Sequence, residues 1–251
     1  MADELIKPTP AGSPSALEAQ AVERSLQART RNAELLAAAL AMIAGFIDAY
    51  GMITYGVFVS FMSGNTTQTG YETAEGAFSL ASLSALAILF FVLGAFAGTL
   101  LVQSAGRLAR RVVFGAVAAA LAAIVGFTQL GLLSGGAAIA AISFAMGIMN
   151  SALSRVGAQS VSLTFVTGTL SRVGSHLALA ARRAPLPDAE GPWDTHLRRA
   201  LMLARLWAGF LVGAVLSGAA TPRYGAGVLL PPALILAALA AFARSEGGAA
   251  G

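Results

Sequence analysis

Long apolar runs with few or no charged residues constrain this chain more than any other feature. A helix needs about 20 predominantly apolar residues to cross a hydrocarbon core about 30 Å thick. Residues 77–106 and 112–154 contain no charged residue, and residues 35–53 contain only Asp48. Charged residues make up 11% of the chain, against roughly 25% in an ordinary soluble domain. The sequence therefore predicts an all-α membrane protein with the lipid bilayer as its main partner.

The apolar runs predict six transmembrane helices. The second charge-free run is too long for one span, and the turn sequence Leu133-Ser134-Gly135-Gly136 divides it into two. We expect the fifth helix to begin near Arg199, and we expect Pro231-Pro232 to kink the sixth. The predicted spans are residues 35–53, residues 77–106, two helices within residues 112–154, residues 206–222 and residues 224–243.

The distribution of arginines predicts an orientation. If the N-terminus is cytoplasmic, the opposite side keeps only Glu72, Glu75, the uncharged turn at Ser134 and Arg223. This positive-inside bias predicts a multi-pass protein of the cell membrane with both termini in the cytoplasm. Because the arginines lie between apolar runs and not along one stripe, they do not indicate a nucleic-acid partner. The arginines on the cytoplasmic side are Arg24, Arg29, Arg31, Arg107, Arg110, Arg111, Arg182, Arg183, Arg198, Arg199 and Arg244.

Two halves of the chain resemble each other. Residues 45–49, GFIDA, match residues 147–151, GIMNS, and residues 60–70 match residues 164–174. Small-xxx-small pairs, which favour close helix packing, correspond as well. These pairs are Gly94 with Gly98 and Gly209 with Gly213.

The repeat predicts the architecture of the membrane domain, residues 33–245. Repeat one, residues 33–134, and repeat two, residues 135–245, would each contain three spans. An odd number of spans makes the second copy enter the membrane from the opposite side, so the halves are predicted to be inverted repeats, as in many secondary transporters. Residues 1–32 are polar and contain three prolines, which is typical of a disordered tail followed by a short surface helix.

Each repeat contains a polar interruption. Residues 54–70 are rich in Thr and Ser but also contain several large apolar residues, which predicts a re-entrant or broken helix. Such backbone is tolerated at membrane depth only where protein or a water-filled cavity satisfies it. The predicted break points are Ser63-Gly64-Asn65 and Thr167-Gly168-Thr169, with half-helix N–H groups directed at a ligand. Alternatively, the hydroxyl groups only bond to the preceding helical turn.

Asp48 is the only carboxylate inside a predicted span, and it is a candidate for proton uptake, cation binding or substrate contact. A charge at this depth costs at least about 2.5–3.5 kcal/mol on insertion scales. The alternative is a structural acceptor for backbone or hydroxyl donors. Arg172, which aligns with Gln68, could neutralise a solute or could be a plain interfacial arginine. The predicted substrate-binding residues are Asp48, Ser63, Gly64, Asn65, Thr66, Thr67, Asn150, Thr167, Gly168, Thr169 and Arg172.

The residue types exclude several classes of site. The chain has no cysteine and only two histidines, His176 and His196. Disulfides, thiolate nucleophiles and Cys-ligated metals are therefore excluded, and neither a nucleophile–base pair nor a metal-ligand set can be assembled. We expect no enzymatic activity, no cofactor and no metal.

The repeated motifs, GFIDA with FMSGN and GIMN with TFVTG, resemble those of the YoaK family of bacterial inner-membrane proteins. The resemblance covers about residues 33–245. It implies a polytopic protein of the inner membrane with six helices, and the family supplies no established activity or substrate.

Taken with the inverted repeat, these features predict a small-solute secondary transporter or facilitator whose site lies between the two repeats. A channel, or a non-transporting membrane scaffold or sensor, is the alternative. Coupling to a proton or cation, and assembly into a homo-oligomer, stay open.

Overall fold

The computed structural model describes residues 16–151, 155–156, 159–160 and 166–243, and these residues are mostly helical. Two 3₁₀ turns, Gly106–Leu108 and Gly225–Leu229, join helices, and the short strands β1 (Arg155–Val156) and β2 (Gln159–Ser160) pair antiparallel. The α-helices within the described residues are α1 (Ala16–Tyr55), α2 (Met62–Ala74), α3 (Phe78–Ala105), α4 (Ala109–Gln129), α5 (Gly135–Asn150), α6 (Val166–Ala181), α7 (His196–Tyr224) and α8 (Leu230–Phe242).

Three helical stretches in the described part of the chain are long and apolar enough to cross a membrane. They are Gln20–Tyr55, Phe78–Gln129 and His196–Phe242, and Gly135–Asn150 is a shorter apolar helix. The second and third stretches contain 52 and 47 residues. Each bends once, at a glycine with positive φ that follows α3 or α7, a conformation that glycine adopts without strain. These glycines are Gly106 (φ 51°) and Gly225 (φ 52°).

The outer surface of α3 is apolar, as expected of a helix that faces lipid. Large apolar side chains of this helix are exposed, including Val92, Leu93 and Phe96 at 57%, 43% and 65% of their area. A contiguous apolar surface of this kind is unfavourable in water and is expected of a helix that faces hydrocarbon. The fold is therefore that of an all-helical membrane protein.

Glycines let α1 and α7 cross with their backbones in contact. A Cβ atom added to Gly213 would collide with the carbonyl group of Met42, and one added to Gly209 would lie 2.9 Å from the carbonyl oxygen of Ala38. On the α1 side, Gly45 is packed just as closely against α7. The contacts advance in the same direction along both helices, so α1 and α7 run parallel. Small residues at such a crossing permit the van der Waals packing that associates helices in lipid.

The crossing of α3 and α5 is built in the same way. A Cβ atom added to Gly94 would collide with the carbonyl group of Phe144, and one added to Gly98 would lie 2.9 Å from the Cα atom of Ile148. On the α5 side, Gly147 lies against the backbone of α3. This pair is also parallel. All four glycines of the predicted small-xxx-small pairs therefore lie at helix crossings.

The other helices complete the bundle. The helices α4 and α8 pack on each other, α2 packs chiefly on α3, and α6 packs chiefly on α7. The turn that divides the second charge-free run is confirmed, since the Ser134 hydroxyl accepts a hydrogen bond from the Ala137 N–H at 3.3 Å and caps α5. The largest fully buried side chains of α4, α5 and α8 are Phe114, Leu121, Ile139, Ile142, Met146, Met149 and Leu236.

Two local predictions differ from the structure. Pro231 and Pro232 do not kink a helix, because α8 begins at Leu230 and places both in its first turn, where a missing N–H group breaks no hydrogen bond. Residues 16–32 do not form a separate surface helix but are the first part of α1. The fifth span was expected to begin near Arg199, and its helix, α7, begins at His196.

The glycine crossings predict opposite effects for two alanine substitutions in the same helix. Gly213→Ala should destabilise the protein by about 1–3 kcal/mol, because its methyl group meets backbone that cannot give way. Gly218→Ala should stabilise it by about 0.5–1 kcal/mol, since an added Cβ there meets nothing within 4 Å and alanine favours the helix. Thermal unfolding in detergent measures both changes. Equal effects of the two substitutions would contradict the crossing.

Candidate functional site

The helical structure is interrupted between α1 and α2, over residues 56–61, and this segment is called the break below. Gly56, at φ 71°, turns the chain at the end of α1. Val59 and Ser60 are then buried, at 0% and 2% exposure, in a segment without helical hydrogen bonds. Buried backbone N–H groups in such a segment need acceptors from elsewhere.

Asp48 supplies the acceptor. Its Oδ1 atom accepts hydrogen bonds from the backbone N–H groups of Val59 at 3.0 Å, Ser60 at 2.7 Å and Phe61 at 3.2 Å. The side chain is 3% exposed. Of the roles considered for Asp48, the structure therefore shows the structural acceptor for backbone donors.

Asn65 holds the same segment from the other side. Its Nδ2 group donates to the Phe58 carbonyl at 2.6 Å, and its Oδ1 atom accepts from the Phe58 N–H at 3.1 Å. The side chain is fully buried. Asp48 and Asn65 therefore clamp the break between them. The break lies at residues 56–61, upstream of the expected Ser63-Gly64-Asn65, because those three residues form the first turn of α2.

Ser63, Gly64 and Thr67 line an open groove of about 430 Å³ beside the break. A Cβ atom on Gly64 would collide with the Phe61 ring, so a larger residue there would have to displace this ring. The Thr66 and Thr67 hydroxyl groups donate to carbonyl groups one turn earlier, at 2.8 and 3.1 Å. This is the alternative stated above, in which the hydroxyl groups bond to the preceding helical turn. The remaining lining residues are Met52, Phe58, Phe61, Gln68 and Tyr71.

Glu72 is a buried acid that the sequence analysis placed on the membrane side opposite the cytoplasm. It lies in α2 at 3% exposure. Its Oε1 atom accepts from Gln68 at 2.9 Å, and the same Gln68 amide donates to the Gly56 carbonyl at 3.0 Å. Its Oε2 atom has no hydrogen-bond partner within the described residues. The spacing of Asn65, Gln68 and Glu72 on one helical face was the signal that could have found it.

The residues predicted in the second repeat lie on two other helices, α5 and α6. Thr167, Gly168 and Thr169 form the first turn of α6, and Arg172 follows on the same helix. Thr164 and Phe165 of the second motif lie outside the described residues. Asn150 ends α5, and its Oδ1 atom has no hydrogen-bond partner in the described part of the chain. The structure thus brings Asp48, Ser63, Gly64, Asn65, Thr66 and Thr67 to one break, apart from the α6 residues.

An ion-pair network fixes the connection between α6 and α7. Arg199 is 5% exposed and bonds Asp194 at 2.7 Å and Asp188 at 2.9 Å. Hydrogen bonds from Arg199 hold the pKa of Asp188 below its usual value. Burial raises the pKa of Asp194, but hydrogen bonds from Arg199 and from the Glu190 N–H outweigh burial and lower it. This network shows that Arg199 is not simply a topology-determining charge.

His176 and His196 join the same two helices, with their Nδ1 atoms 2.9 Å apart. Burial lowers the pKa of His176, and the neighbouring His196 and Arg199 lower it further. The physical cause is that protonating His176 would place a cation beside Arg199 in a partly desolvated contact.

Removing the Asp48 carboxylate tests the clamp. Asp48→Ala should lower the free energy of unfolding by about 3 kcal/mol or more, because it leaves buried N–H groups unsatisfied at about 1–3 kcal/mol each. Asp48→Asn keeps an acceptor oxygen and should insert and fold with a smaller loss. Thermal unfolding in detergent distinguishes them. Equal stability of wild type and Asp48→Ala would show that the clamp is wrong.

The Arg199 network predicts a response to acid. Both carboxylates have folded pKa values below the unfolded value of about 3.9, so their stabilisation is present above that pH and is lost as pH falls through the lower folded values. In a Trp207→Phe background, Trp193 is the remaining tryptophan. Its emission should be constant from pH 8 to 5 and shift to the red below about pH 4. Arg199→Gln should show the red-shifted emission at pH 7, and unchanged emission in this variant would exclude the network as the anchor.

Comparisons with known proteins agree with the membrane fold. Residues 36–242 match the family described as "Protein of unknown function (DUF1275)". A UPF0700 transmembrane protein of Rhizobium meliloti (strain 1021) is 49% identical over 41 residues, which cover 16% of this chain and only 18% of that relative. No solved structure matches significantly. The YoaK-family resemblance of the repeated motifs is confirmed, and the chain belongs to the DUF1275 family of transmembrane proteins.

Proposed function

We propose that the protein is a small-solute secondary transporter or facilitator of the bacterial inner membrane, with six spans arranged as two inverted three-helix repeats. The observation that carries the proposal is that the two parallel helix pairs correspond. If α1 of repeat one is matched with α5 of repeat two, and α3 with α7, then the parallel pair α1–α7 is matched with the parallel pair α5–α3. A pseudo-two-fold relation between the halves explains why both glycine crossings have the same construction.

Other correspondences support the same relation. The helices α2 and α6, which carry the polar motifs of the two repeats, each pack on the next long helix. The last helices of the repeats, α4 and α8, pack on each other. The glycines with positive φ after α3 and α7, Gly106 and Gly225, occupy equivalent places. The end of α1 lies at the beginning of α5, where Tyr55 is 3.8 Å from the Cβ position of Gly135. Opposite directions for these two helices are what inversion requires.

The groove beside the break supports solute passage. Irregular backbone at membrane depth is expected only where protein buries it or where it lines a water-filled cavity. Here Asp48 satisfies the buried N–H groups, and an open groove lies beside the same segment. The groove lining contains aromatic rings, hydroxyl groups and an amide but no charged side chain. This composition favours an uncharged small solute, with Ser63 and Thr67 as its hydrogen-bonding partners.

Two carboxylates compete for the role of coupling group. Asp48 was the candidate for proton or cation uptake, but its Oδ1 atom is committed to three N–H groups. Glu72 is equally buried and has an Oε2 atom without a hydrogen-bond partner within the described residues. Glu72 is therefore the stronger candidate for coupling, and Asp48 positions the break.

Single-cysteine labelling tests the proposal in a chain that has no natural cysteine. Ser63 and Thr167 are equivalent in the repeat and exposed in the structure. An impermeant cationic methanethiosulfonate should modify Ser63→Cys from one side of the membrane and Thr167→Cys from the other, because thiolates form in water. Leu93→Cys on the lipid-facing surface of α3 is the control and should not react.

The labelling pattern can contradict the proposal in two ways. If neither Ser63→Cys nor Thr167→Cys reacts from any side, the polar segments do not line a wet path. If both react from the same side only, the repeats are not inverted. Saturable, gradient-driven uptake into proteoliposomes then separates a transporter from a channel or a scaffold.

A further inference from the structure

A second groove of about 430 Å³ lies between α1 and α7, far along the chain from the break. The helix α1 contributes Arg24 and Arg31, and α7 contributes Arg198 and Arg205. In each helix the two arginines are seven residues apart, so they lie on one face. Because α1 and α7 run parallel, the two pairs form the opposite walls of one groove.

The groove lining carries an excess of positive charge. Gln27 and Ala28 line the groove between the two arginines of α1. Glu34 is the only acidic residue in the lining. The four guanidinium groups therefore exceed the carboxylate charge, and Arg24 and Arg31 make no ion pair within the described residues.

One of the four arginines is held in place by its neighbours. Arg198 forms an ion pair with Glu34 at 2.8 Å and lies over the Trp193 ring at 4.4 Å from its centroid. Glu34 is 8% exposed. A guanidinium group fixed in this way loses little conformational freedom when it binds an anion, and its planar donors match phosphate oxygens.

The groove lies at the level where lipid headgroups are expected. The apolar run of α1 begins at residue 35, four residues after Arg31, and that of α7 begins at residue 206, directly after Arg205. Arginines at such a boundary extend toward the polar layer of the membrane. Basic pockets between membrane helices on the arginine-rich side suit acidic phospholipid headgroups.

We infer that this arginine groove binds the headgroup of an acidic phospholipid, through phosphate groups held between the Arg24–Arg31 face of α1 and the Arg198–Arg205 face of α7. Several guanidinium groups and a volume of about 430 Å³ favour a headgroup with two phosphates over one with a single phosphate. The bound lipid would join the amino-terminal part of α1 to α7. This inference is independent of solute transport.

Native mass spectrometry of the purified full chain tests the inference, with cardiolipin as the probe and phosphatidylcholine as the neutral comparison. The wild type should retain cardiolipin at least tenfold more tightly than phosphatidylcholine. Arg24→Gln/Arg31→Gln should lose this preference by tenfold or more. Arg205→Gln should weaken it from the α7 side, and Arg24→Lys/Arg31→Lys should restore part of it through charge alone.

The matched control is Arg107→Gln/Arg111→Gln, which removes two exposed arginines from the same predicted side of the membrane but not from the groove. It should bind cardiolipin like the wild type. Equal losses in the groove and control variants would overturn the inference in favour of nonspecific attraction. Displacement of cardiolipin by inorganic phosphate at similar concentration would overturn the lipid assignment. Unfolding temperatures in neutral detergent should be the same for all variants, which separates lost binding from lost folding.

Discussion

The hydrogen bonds from Val59, Ser60 and Phe61 to the Asp48 carboxylate are the interaction on which the rest of this structure depends. A helix that breaks inside a membrane protein exposes N–H groups that hydrocarbon cannot satisfy. One carboxylate oxygen accepts three of them, and Asn65 pairs with both backbone groups of Phe58. These hydrogen bonds oppose the cost of burying the acid. The break then places α2, its groove and Glu72 beside α3.

The two glycine crossings provide the frame that holds this break. Apolar side chains drive no association among lipid tails, so the helices rely on close backbone contact. Gly209 and Gly213 provide it for α7, and Gly94 and Gly98 provide it for α3. In the proposed inverted repeat these glycines are equivalent. Repeat-related pairs that run parallel could move against each other as units, which is the motion that alternating access requires.

Sequence patterns predicted the parts of the fold that follow from helix periodicity and charge. The apolar runs predicted the long helices, the turn at Ser134 predicted the start of α5, and the small-xxx-small pairs predicted where backbones meet. The position of the break was missed by several residues, because it is set by side chains that bind backbone across the fold. Asp48 was identified, but its partners are eleven to thirteen residues away along the chain and carry no side-chain pattern. Glu72 was missed because its burial depends on the packing of α2 on α3.

Residue-resolved hydrogen exchange on the wild-type protein in lipid nanodiscs tests the central claim most directly. If Asp48 closes the break, the amides of Val59, Ser60 and Phe61 should exchange as slowly as those of neighbouring helical turns, although they belong to no helix. The amide of Leu133 in the turn before α5, which donates no backbone hydrogen bond within the described residues, gives the rate of an open connection. Exchange of residues 59–61 at that faster rate would contradict the account.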